Sequence, residues 1–228
     1  MEQFYKTVDM EYGSWHDSTF KYQVGKLRRP RRTGDGRVIN PDVCSPGVLH
    51  ASRTAPDAAR YAKDYPFRLL IVEGIPVVEE DDKAGFRQLR IVEEAGSLVP
   101  CFGPNGVAVV DVLDTVRAAT ADELSRLAAA WAAAWAAAGA AAWDAARDAA
   151  RAAARAAAGD AARVAAGAAA WAAAWVAAWA AARAAAGDAA RAAAVADLVG
   201  QHGLTQAHID TLMAPFVKVF GRPDWMRV

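Results

Sequence analysis

Sixteen consecutive tetrapeptides, running from Trp131 to Ala194, set the strongest limit on how this chain can fold. The first position of each is Trp, Arg or Gly, the second is Ala, Asp or Val, and the third and fourth are always Ala. Such regularity marks a repeat architecture. Alanine is the best helix former and a poor strand former, so the segment from about Thr120 to Val199 is expected to be helical. Thr120, Ala121, Asp122 and Glu123 read as a capping box that opens it, and Gly200 reads as its stop. Each helical residue turns about 100°, so positions four apart are offset by roughly 40°. The Trp/Arg/Gly row must therefore wind slowly around the helix. Two layouts follow. One is a single rod of about 80 residues, roughly 120 Å long. The other breaks at Gly159-Asp160, and again at Gly187-Asp188, with Gly ending one helix and Asp capping the next. The folded-back bundle is preferred, because six Trp side chains on a lone rod would leave a large apolar area in water.

Trp and Arg together can stack on bases or bind anions. They can also pack helices, with Trp as filling and Arg at the rim. Packing or self-association is favoured. The candidate binding residues are Trp131, Trp135, Trp143, Arg147, Arg151, Arg155, Trp171, Trp175 and Trp179. A homo-oligomer through the repeat and an unidentified protein partner are the expected partners. With 26 basic and 26 acidic residues the net charge is zero, which argues against nucleic acid. Basic residues concentrate only at Arg28, Arg29, Arg31, Arg32 and Arg37, read as a solvated loop. Leu127–Trp143 and Val164–Ala182 carry no charge, but they are mostly Ala and Gly with Trp in the middle, so no membrane span is expected. Cys44 and Cys101 make neither a disulfide framework nor a zinc pattern. The start of the chain lacks a signal-peptide layout. A cytoplasmic protein without cofactor or metal is expected.

Residues 1–118 form a different region, expected to be an α+β head. Phe4–Val8 and Phe20–Val24 read as strands, Gly47–Ala51 as a strand edge, and Pro56–Ala62 as a short helix with Pro in its first turn. Arg68–Glu73 with Val77 and Val78 reads as a buried strand interrupted at Gly74, and Arg87–Val92 alternates as a half-buried strand. Val107–Val112 is an apolar run assigned to the same head, whose sheet should hold about five or six strands. The Glu79–Asp82 run beside Lys83 reads as an acidic hairpin turn. After the repeat region, 119–199, comes a helical tail, 200–228. There Thr205 caps a helix to about Met213, and Leu204, Ile209, Leu212, Phe216, Val219 and Phe220 share a buried face. His202 and His208 read as structural or exposed.

The order Tyr22-x-x-Gly25, Cys44-x-x-Gly47, His50-Ala51, Ala59-x-Tyr61, Val72-Glu73, Asp81-Asp82-Lys83 and Arg90-Ile91-Val92 resembles an uncharacterised domain family of phages and actinobacteria. Some of its members look similar in carrying Ala-rich tails with Trp, Arg and Asp at short period. The resemblance implies architecture and a phage-like context, including defence or counter-defence, but no reaction. Gly47–Ser52, Ala59–Ala62 and Leu69–Glu73 also resemble the strand–helix–strand core of ADP-ribosyltransferase folds. That resemblance implies NAD as a ligand, with His50 and Tyr61 at the nucleotide and Glu73 or Glu79 as the acid. The reading adopted is a non-enzymatic structural and interaction protein. The alternatives are an NAD-binding transferase-like domain, whose catalytic candidates are His50, Tyr61 and Glu73, and nucleotide or nucleic-acid binding through the Trp/Arg stripe.

Overall fold

A computed structural model describes residues 2–30, 47–63, 65–156 and 180–227. The protein is mixed α+β, with β-structure in the N-terminal part and helices after it. It divides into two compact units, Met1–Cys101 and Phe102–Val228. The sequence reading drew its first boundary after residue 118 and set the tail apart. The helix that ends at Ala118 instead belongs to the second unit, together with the tail.

The first unit holds a four-stranded and a three-stranded sheet. The four-stranded sheet has the order β1 (Gln3–Val8), β4 (Arg68–Glu73), β7 (Leu89–Glu94), β2 (Leu27–Arg28). The three-stranded sheet has the order β3 (Leu49–Ala51), β6 (Ala84–Phe86), β5 (Pro76–Glu79). All pairs are antiparallel. A bridge between Tyr5 and Ser52 ties β1 to the end of β3 and so joins the sheets. Alternation sends Phe4, Val8, Leu70, Val72, Leu89 and Ile91 to one face, where they pack with Leu49, Ala51, Ala84 and Phe86. Phe4 and Phe86 meet edge-on at 4.8 Å. A short helix, α1 (Ala55–Ala59), starts at Thr54, whose side chain accepts from the Asp57 backbone N–H.

Three expectations for this unit need correction. Arg68–Glu73 and Val77-Val78 are not one strand, because β4 and β5 lie in different sheets. Gly74 makes the corner between them: a Cβ there would stand 2.9 Å from the Gln88 carbonyl oxygen. Phe20–Val24 is not a strand. Its pairing with the Tyr12–Ser14 segment is confined to a few backbone hydrogen bonds. Val107–Val112 is not part of the head: it lies in helix α2 (Gly106–Ala118), within the second unit. The buried residues Val109, Val112, Leu113 and Val116 fall at helical spacing.

The second unit is helical. It comprises α2, α3 (Ala121–Ala156), α4 (Ala180–Ala194) and α5 (Gln206–Phe220). Helix α3 packs on α4 and α5, α2 packs on α4, and α4 packs on α5. The capping box is formed as read. Thr120 Oγ1 accepts from the Glu123 N–H at 3.2 Å, and the Glu123 carboxylate accepts from the Thr120 N–H at 2.8 Å. Gly187 and Asp188 do not break the chain, since α4 runs through both. Gly159-Asp160 lies outside the described residues. The repeat helix stops at Ala194, before Gly200, which occupies a turn with φ 87°. In the tail, Thr205 caps α5 in a capping box with His208. The helix continues past Met213, through Pro215, to Phe220. Leu204, Ile209, Leu212, Met213 and Phe216 are buried, while Val219 and Phe220 are only half-buried.

Candidate functional site

Helix α4 is covered nearly all round: from Ala185 to Val195 every residue is buried except the half-buried Arg191. Such a helix is central in a bundle. Alanine makes this position attainable, because its small side chain lets neighbouring helices approach closely. The second position of the repeat varies between Ala, Asp and Val. In α4 it puts Asp188, 0% exposed, into the middle of that packing. A buried carboxylate must find donors or remain unstable.

Asp188 finds five N–H groups on four side chains. Arg147 grips it with a fork: Nε donates to Oδ1 at 3.0 Å and Nη2 to Oδ2 at 2.7 Å. Arg191, one helical turn on, donates through Nη1. The indole N–H of Trp143 donates at 3.0 Å and that of Trp131, more weakly, at 3.4 Å. The two indoles meet edge-on at 6.2 Å, and the Arg147 guanidinium lies 5.9 Å from the Trp143 ring centre. Burial holds the Arg191 guanidinium below its ordinary basicity, with Asp188 opposing that shift. A carboxylate has about four lone-pair directions. With five donors on it, Asp188 has none left to hold a metal. Its chemistry is that of a lock between helices.

The candidate row leaves this interface as it winds. Trp143 is fully buried, the Arg147 side chain is 19% exposed, and that of Arg151 is 51% exposed and paired with Asp148. Burial along α3 instead follows Trp143, Ala146, Ala150 and Ala153, alternate steps of three and four. A period of four in sequence thus meets a period near 3.6 in packing. Of the nine candidate binding residues, Trp131, Trp143 and Arg147 are brought together, and Arg151 lies beside them on the outside. The side chains of Trp135 and Arg155, and residues Trp171, Trp175 and Trp179, lie outside the described residues. Because Asp188 bonds Arg147 and Trp143 directly, a single straight rod over the whole repeat is ruled out.

The chain matches no family model, no curated protein and no solved structure.

In the head, the three catalytic candidates stand on different elements. His50 is on β3 opposite Gly85, on the face turned away from Leu49 and Ala51. Tyr61 follows α1 and donates to Asp82 Oδ2 at 2.8 Å, and burial together with this bond pushes its phenol up to about 12. Glu73 ends β4 on the outer face of the other sheet, next in sequence to the buried Val72. Glu79 pairs with Arg53, which also pairs with Glu2. The acidic run does form a hairpin turn, closed by Glu80 N–H to the Lys83 carbonyl at 2.9 Å. Burial drives the Cys101 thiol up to about 12, so it is unsuited to act as a nucleophile. Cys44 lies outside the described residues. These contain no group of three or more His, Cys, Asp or Glu arranged to hold a metal. They also contain no helix long and apolar enough to cross a membrane.

Sequence reasoning passed over two residues. Asp188 looked like a cap. Lys6 is given no role there, although it shares the parity of Phe4 and Val8. It is largely enclosed, and desolvation lowers its pKa to about 8.

Proposed function

We propose that this is a non-enzymatic structural and interaction protein whose Ala-rich repeat serves as a scaffold. The observation that carries the reading is the saturated Asp188 lock. The Trp and Arg positions gathered at it are used to hold helices together, with no lone pair left for catalysis. The separate placement of His50, Tyr61 and Glu73 supports the same reading for the head. Other members of the winding Trp/Arg row then serve as the surface for self-association into a homo-oligomer or for a protein partner. A cytoplasmic setting and a phage-like context accompany this proposal on sequence grounds.

Size-exclusion chromatography with light scattering, over a wide concentration series of the intact chain, tests it. A defined homo-oligomer is expected. A strict monomer at every concentration would refute self-association through the repeat.

A further inference from the structure

We draw no further inference here: the strongest candidate, the enclosed Lys6 ammonium on the inner face of the four-stranded sheet, carries nothing as a reactive amine, because its contacts with the His50 carbonyl at 2.7 Å and the Tyr22 ring at 4.9 Å both favour the charged form, and only its lowered pKa favours the free base.

Discussion

The two units treat buried charge in opposite ways. In the helical unit a fully enclosed carboxylate, Asp188, is saturated by two guanidiniums and two indoles. In the head, Lys6 and Arg28 reach the edge of an apolar interior and find aromatic faces and one backbone carbonyl, but no counter-charge among the described residues. A saturated buried charge fixes a packing arrangement and leaves nothing for a ligand. An unsaturated one costs stability.

The largest expected effect falls on the lock. Asp188→Ala takes the shared carboxylate away from Arg147 and Arg191 and should cost about 3–5 kcal/mol, read by urea unfolding followed at helical circular dichroism. An effect near zero would mean the Asp188 cage is not buried in solution. Next comes Lys6. Its folded-state pKa, about 8, lies below the ordinary lysine value of 10.5. Below about pH 8 both states carry the proton, and the folded state bears the desolvation. Between about 8 and 10.5 the unfolded chain still binds the proton and the folded one does not, so stability should climb with pH and then level off. Lys6→Met should remove that climb and stabilise the protein at neutral pH by about 2 kcal/mol. A destabilised variant would place Lys6 in water and erase the contrast between the units. Trp143→Phe keeps most of the ring but loses the indole donor to Asp188, and should cost about 1–3 kcal/mol in the same unfolding assay. Arg151→Ala, on the exposed continuation of the same row, should change stability by no more than about 0.5 kcal/mol. If the two changes in the row cost the same, the winding of the stripe out of the interface would be disproved.

Much of this architecture is legible in the sequence where local chemistry decides. The Thr120–Glu123 box and the Thr205 cap work through side chains within one turn, and strand β1 announces itself by alternation. Elsewhere tertiary context prevails. Gly187-Asp188 has the composition of a helix break, yet the Arg147 fork from another helix makes it more stable inside a continuous helix. Helix α2 was hidden because its apolar run, cut at Val112, conceals a helical spacing that continues to Val116. Strand β6 consists of Ala84, Gly85 and Phe86. Its first two side chains are too small to show alternation, and Gly85 is needed because a Cβ there would come within 2.7 Å of Val78. The inward placement of Lys6 was readable from its parity with Phe4 and Val8. The separation of Lys6 and Arg28 from the carboxylates of the described residues was not, because it depends on which strands become neighbours.

The central claim is that the Trp/Arg row is engaged with Asp188 within the helical unit. A double-mutant cycle between Arg147 and Asp188 tests it most directly, with Arg147→Met, Asp188→Asn and the pair together unfolded in urea. The account predicts that the double variant is far less destabilised than the sum of the singles, with a coupling of about 1.5 kcal/mol or more. Additive losses would contradict it, and would return the repeat to a surface whose charges do not meet.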